Sequence, residues 1–295
     1  MTDSKRIVAT RRAPARHWVG DGFPVHGMFD YNGAQVPARS PFLLLDYAAP
    51  CAFEPHTGYR RGVGQHPHRG FETVTLVYDG EVEHRDSAGG GGVIGKGDVQ
   101  WMTAGAGLMH EEFHSERYSR TGGPFEMIQL WVNLPARDKM TPPRYQAITA
   151  DRIPEVALPG GAGTMRLVAG EFAGQQGPAL THTPMRVWDV TLAAGATVSL
   201  PQPEGWTTLL VVRSGELGVQ GQATLEAAEM ATLTPEGTDV TLQAQGDADV
   251  HLLLLSGEPI DEPVVGYGPF VMNTREEIVQ AIDDLQQGRF GRMDE

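Results

Sequence analysis

Residues 72–86 read ETVTLVYDGEVEHRD. Apolar and polar residues alternate on both sides of Asp79-Gly80, and a period of two marks a strand with one buried face. Asp-Gly suits a tight turn because both positions tolerate positive φ, so this stretch is expected to form a β-hairpin. A second hairpin is expected in residues 91–105, GGVIGKGDVQWMTAG, turning at Gly95-Lys96-Gly97-Asp98. Residues 127–134, MIQLWVNL, supply another strand.

Beyond the Pro-rich connector at 134–144, LPARDKMTPPR, the same grammar returns in RVWDVTLAAGATVSL (186–200), TTLLVVRSGELGVQ (207–220) and DVHLLLLSG (249–257). Laying Asp79-Gly80-Glu81 on Ser214-Gly215-Glu216 brings TVTLVYDGEVE onto TLLVVRSGELG at an offset of 135 residues. Two copies of one antiparallel unit are therefore expected, each near the size of an eight-stranded jelly roll, in an all-β protein. The expected division is 1–140 and 141–295. One helix is expected late, in NTREEIVQAIDDLQQG (273–288): Thr274 and Glu277 form a capping-box pattern, Ile278, Ile282 and Leu285 share a face, and Gly288 ends it. Its apolar stripe is read as docking against a barrel.

The chain has 295 residues, 37 glycines and 21 prolines, a composition suited to many short elements and turns. Cys51 is its one cysteine, which excludes an intrachain disulfide and a cysteine-based metal cluster, so a metal would have to use His, carboxylate and water. A net charge of −14 disfavours direct binding to nucleic acid. The basic run from Lys5 to Arg16 is read as a solvated arm. No segment approaches the roughly 20 apolar residues of a membrane span, and the first residues lack the apolar run of a secretory signal, so the cytoplasm is the expected location.

HPHRGFE, residues 66–72, puts two imidazoles at alternate positions. On a strand His66 and His68 share a face, and inside a barrel that face is the interior. Buried imidazoles must be hydrogen-bonded, metal-bound or solvated. GAGLMHEEFHSE (105–116) repeats the spacing with His110 and Glu112, and one antiparallel sheet would set the two strands side by side. Three neutral imidazoles and a carboxylate would then converge, a set suited to a first-row divalent metal with open positions. The second half serves as an internal control: His66 and His68 map to Pro201 and Pro203, and at an offset of 131 His110 and Glu112 map to Thr241 and Gln243. Of the other polar residues nearby, His84 and Glu111 read as surface groups. His114 reads as either a partner of the ligands or an exposed side chain, and Trp101 and Met102 as pocket wall or core.

HPHRGFETVTLVYDGEVEHRDS (66–87), GDVQWMTAGAGLMHEE (97–112), QLWVNLP (129–135) followed by PPRYQ (142–146), and GPFVMNTREEI (268–278) together resemble the pirin family, over nearly the whole chain. The resemblance implies two consecutive cupin domains, with one metal per chain, usually Fe(II), in the first. It implies the ligands His66, His68, His110 and Glu112, and leaves the second cupin without metal. The general cupin pattern would instead favour Glu72, to which the resemblance leaves a supporting or structural role. It implies a dioxygenase resembling quercetin 2,3-dioxygenase, acting on a flavonol or related enol or phenol with dioxygen, releasing carbon monoxide, with Glu112 as ligand and base. The alternative it carries is a redox-sensitive regulatory protein that binds protein partners.

Overall fold

The computed structural model describes residues 4–32 and 36–293. They form two compact units. One comprises Pro14–Val36, Phe42–Ala150 and the segment from Ile260 onward; the other comprises the segment ending at Ala13, Pro37–Pro41 and Asp151–Pro259. The expected division after residue 140 follows the chain, whereas each compact unit takes in a segment from the chain's other end.

The first strand, β1 (Ile7–Arg12), belongs to the second unit, where it pairs with the strand Glu229–Leu233. The basic run is thus not a solvated arm. Lys5 just before it is buried, its Nζ donating to the carbonyls of Trp206 (3.1 Å), Thr234 (3.3 Å) and Pro235 (2.8 Å).

The histidine-bearing unit holds β2 (His17–Val19), β3 (Phe23–Phe29), β4 (Phe42–Phe53), β5 (Gly62–His68), β6 (Phe71–Asp79), β7 (Val82–Asp86), β8 (Gly91–Ile94), β9 (Val99–Thr103), β10 (Leu108–His114), β11 (Gly123–Asn133) and β12 (Arg144–Ile148). A seven-stranded sheet runs β12-β9-β6-β11-β4-β3-β2, and a four-stranded one β5-β10-β7-β8. Side chains of both close over a core that includes Val77, Val82, Ile94, Phe125 and Met127.

Neither expected hairpin forms. Around Asp79-Gly80 the chain leaves the seven-stranded sheet at the end of β6 and enters the four-stranded one at β7; between β8 and β9 it crosses back. Alternation identifies which face of a strand is buried but not which strand lies beside it, and in a jelly roll chain neighbours belong to opposite sheets. Gly80 takes a φ of 86°, and a Cβ there would strike the Phe125 ring, so the corner requires glycine twice over.

The second unit repeats this plan strand for strand. Its seven-stranded sheet runs β1, Glu229–Leu233, Thr207–Ser214, Val250–Gly257, Met185–Leu192, Gly163–Ala169, Glu155–Ala157, and its four-stranded sheet Thr197–Pro201, Asp239–Gln245, Glu216–Val219, Ala223–Leu225. Gly215, at a φ of 82°, turns the same corner as Gly80. The pairing corrects the map of the histidines by one residue. With Val82 on Leu217, the cross-strand partners place His114 on Ala244, His84 on Val219, Glu112 on Leu242, His110 on Val240 and His66 on Leu200. Pro201, Thr241 and Gln243 lie on the opposite face, because a one-residue shift turns every side chain over. Leu200, Val219, Val240, Leu242 and Ala244 are all core residues of the second unit.

The helix Arg275–Gln286 has its capping box between Thr274 and Glu277, as expected. Ile278, Ala281, Ile282 and Leu285 pack with Phe270, Met272, Phe290 and Met109 of β10, so the stripe does dock on a barrel, that of the histidine-bearing unit. The helix is fastened by a buried ion pair, Arg69 Nη1 to Asp284 Oδ2 at 2.8 Å, while Arg69 Nε donates to the Ala106 carbonyl at 2.7 Å. Asp284 also accepts from Arg289 Nη1 and Gln280 Nε2, so losing Arg69 removes its charge-assisted hydrogen bond without leaving the carboxylate alone. Arg69→Leu should therefore cost about 2 kcal/mol in urea unfolding and expose the chain after Gly268 to limited proteolysis, measured on the full-length protein.

Candidate metal centre

β5 and β10 pair antiparallel with His110 directly opposite His66. The i, i+2 spacing keeps His68 on the face of His66, and the imidazoles of His66, His68 and His110 converge with a nitrogen of each within 4.8 Å of the others. Ring centroids stand 4.1 Å apart for His66 and His110, 4.8 Å for His68 and His110. His110 and His68 are buried and His66 is half-buried.

Burial, reinforced by the neighbouring imidazoles, holds His68 and His110 well below the usual histidine range, so both are neutral. A neutral ring has one N–H and one lone pair. His66 Nδ1 lies 2.8 Å from the Gly64 carbonyl and His68 Nδ1 lies 3.4 Å from the Pro269 carbonyl; a carbonyl can only accept, so Nδ1 is the donor in both contacts, and the neutral His68 ring keeps its lone pair on Nε2. His110 has Nδ1 toward His84, and its buried Nε2 has no hydrogen-bond partner among the described residues. An orphaned nitrogen facing two further imidazoles fits a borderline divalent cation.

A second group of possible ligands, His84, His110 and Glu112, shares His110 with the first. Glu112 stands across the β7–β10 ladder from His84, after a register shift in β10 between His110 and Glu112. Its Oε1 accepts from Gln100 Nε2; Thr75 Oγ1 has one proton for two acceptors, Glu112 Oε1 at 3.3 Å and Gln129 Oε1 at 2.7 Å, and Tyr145 OH donates to Gln100 Oε1 at 3.3 Å. The carboxylate is thereby held from behind. His84 is not the surface residue its place in β7 suggests: it is fully buried, stacks on Tyr145 at 4.8 Å, and has Nε2 3.1 Å from Asp86 Oδ2. Its i, i+2 spacing to Asp86 repeats that of His66 to His68, the one sequence signal that could have found it.

A cavity of about 200 Å³ opens onto His66, His68 and Glu112. Its other walls are mainly apolar, including Val19, Phe23, Leu44, Val63, Met127 and Trp131, with Gln129 and Asp46 as polar points. Burial pushes the Asp46 carboxyl up to about 6, with His17 opposing. Trp131 stacks on Phe71 at 4.2 Å, and the edges of both rings support His68. Three expectations change here. His114 is buried among Phe23, Phe53, Tyr118 and Phe125 with Nε2 2.9 Å from the Gly22 carbonyl, away from the cluster. Glu111 is nearly buried and faces Arg85 at 3.5 Å. Trp101 and Met102 are core residues and do not line the cavity.

Residues 22–132 match the sequence model of the family described as pirin, and residues 187–291 match that of the pirin C-terminal cupin domain. A Pseudomonas aeruginosa protein provisionally named a quercetin 2,3-dioxygenase is 57% identical over 290 residues, which cover 98% of this chain and 99% of the relative. Human pirin is 38% identical over 255 residues, 85% of this chain and 83% of that one. The crystal structure of quercetin 2,3-dioxygenase from Acinetobacter baumannii superposes with a TM-score of 0.94 at 52% identity, covering 99% of this chain and 100% of the other.

Glu72, the competing carboxylate, lies on β6 outside both groups of possible ligands; it is fully buried and accepts from Thr103 Oγ1 at 2.7 Å. Burial pushes its carboxyl up to about 7, against the hydrogen bond from Thr103. At pH 4 the group is protonated folded or unfolded. As pH rises through the unfolded value and on toward 7, the unfolded chain ionises while the folded carboxyl keeps its proton, so stability falls across that window. Glu72→Gln removes the loss: urea unfolding should show the variant more stable than the parent by roughly 3 kcal/mol at pH 8 and nearly equal to it at pH 4.

Proposed function

The chain belongs to the pirin family, and on that premise we propose that its histidine-bearing cupin is a cytoplasmic Fe(II)-dependent dioxygenase site that cleaves a flavonol such as quercetin or a related enol or phenol. His66, His68, His110 and Glu112 hold the ion. The observation that carries this reading is the convergence of neutral imidazoles, with lone pairs on Nε2, beside a carboxylate at the floor of an apolar cavity.

When bound, the ion supplies Lewis acidity toward the flavonol 3-hydroxyl and carbonyl, and the redox capacity that dioxygen chemistry needs. The chain supplies the rest. Val19, Phe23, Val63, Met127 and Trp131 enclose the aromatic body of the substrate and keep water from it. Glu112 faces the same cavity and accepts the 3-hydroxyl proton on a carboxylate oxygen. Gln100 and Thr75 fix that carboxylate, so that it meets the hydroxyl without reorganising.

In this proposal the second cupin holds no metal, since Leu200, Val240 and Leu242 stand where the first has His66, His110 and Glu112, and Val219 where it has His84. Elemental analysis of protein purified without a chelating tag should give one metal per chain, and His66→Ala or His110→Ala should abolish retention. Glu112→Gln should keep part of the metal, because an amide oxygen coordinates weakly, yet lose flavonol-dependent oxygen uptake by about a hundredfold or more. Glu72→Gln should retain both. Full metal loading without oxygen uptake on any flavonol or enol would transfer the site to the regulatory reading.

A further inference from the structure

The three clustered imidazoles are oriented by partners of two kinds. His66 and His68 face backbone carbonyls, which accept and never donate, so their tautomers follow from the backbone alone. His110 faces another imidazole, Nδ1 to Nδ1 at 3.4 Å. Either ring could donate in that contact. Were His84 the donor, the proton of His110 would sit on Nε2 and its lone pair would point away from the cluster.

Asp86 decides the matter. Its Oδ1 accepts the N–H groups of Ala88 and Gly90, both at 2.9 Å, which fixes the carboxylate, and its Oδ2 lies 3.1 Å from His84 Nε2. With two backbone N–H groups committed to Oδ1, the carboxylate presents Oδ2 to His84 as an acceptor. His84 must then carry its proton on Nε2, which leaves Nδ1 as an acceptor. His110 must donate from Nδ1, and its lone pair is forced onto Nε2, the buried nitrogen that faces His66 and His68. Two other groups lie near His84: Tyr145 stacks face to face on the ring and directs its hydroxyl to Gln100, and Glu112, within 4.8 Å of it, accepts from Gln100 on Oε1 and makes no hydrogen bond to His84.

We propose that Asp86 and His84 are positioning residues that set the tautomer of His110 through two successive hydrogen bonds and so make it a metal ligand. The proposal rests on the metal-binding reading given above, but its first consequence, the position of two protons, holds in the metal-free protein. In this reading neither residue is itself one of the four ligands.

Asp86→Asn tests it with almost no change in shape. The two backbone N–H groups hold the amide oxygen at the Oδ1 position, which turns the NH₂ group toward His84 Nε2. The chain of hydrogen bonds then runs backward, with His84 donating from Nδ1 and His110 protonated on Nε2. Long-range ¹⁵N–¹H correlation spectra of histidine-labelled, metal-free protein should show His110 protonated on Nδ1 in the parent and on Nε2 in the variant. Nickel(II) affinity, measured by competition with a chromophoric chelator, should fall 10- to 100-fold. A merely structural role for Asp86 would lower the melting temperature without moving the His110 proton. His110 protonated on Nε2 in the parent, or an unchanged tautomer and unchanged nickel affinity in a folded variant, overturns the proposal. Should the variant not fold, the parent spectrum still decides, since a proton on His84 Nδ1 overturns it. A parent that shows the expected tautomers yet binds no nickel would sink the metal reading and leave the hydrogen-bond chain standing.

Discussion

Three imidazoles crowd one end of an apolar barrel, and almost everything around them follows from the cost of burying them there. Charged, they would repel one another where little solvent reaches; neutral, each buried N–H needs an acceptor. The fold supplies three different acceptors: Gly64 from β5 itself, Pro269 from the C-terminal segment, and His84 from β7. Once the N–H groups are satisfied on the outside of the cluster, the lone pairs are left on the inside. Stability of the folded barrel and competence to bind a cation thus come from the same hydrogen bonds.

The second cupin shows what the fold requires without this task. The two units agree in strand order and in the corners at Gly80 and Gly215, yet hydrocarbon takes the place of three candidate ligands and of His84: Leu200 for His66, Val240 for His110, Leu242 for Glu112, Val219 for His84. A jelly roll built from these strands closes well over leucine and valine. The histidines are therefore an expense the first unit carries for the site, and the supporting groups Asp86, Gln100 and Thr75 offset it.

Much of this was legible in the sequence, because strand periodicity and turn chemistry are local. The two-fold repeat, the helix with its capping box and the pairing of the two histidine strands could all be read from spacing and order. Three things could not. Strand partnership is non-local, so two corners between sheets passed for hairpins. An offset aligned on one corner drifts by a residue at the next loop, which sent the equivalents of His66, His110 and Glu112 to Pro201, Thr241 and Gln243 on the wrong face. His84, one strand away from the ligands in space but distant from them in the chain, has a context, EVEHRD, that resembles any exposed return strand. Its role comes from Asp86 and Tyr145, whose approach no spacing announces.

The C-terminal segment illustrates the same point from the other side. GPFVMNTREEI marks a turn, a short strand and a helix start, but not why the chain should return to its first unit after building the second. The geometry gives a reason. Arg69 bridges to Phe270, its N–H donating to the Pro269 carbonyl at 3.3 Å while its carbonyl accepts from Val271. A Cβ at Gly70 would overlap the Val271 carbonyl, so glycine is what permits this close approach. Lys139 seals the junction, its buried Nζ donating to the carbonyls of Gly70 and Val271 and to Asn133 Oδ1. The returning segment thus carries the Pro269 carbonyl to His68 and holds it there. His68 sits at the end of β5, where the ladder with β10 stops at Leu108 and offers its ring no acceptor. A residue 201 positions further along the chain completes the orientation of a candidate ligand that the local strand leaves unfinished.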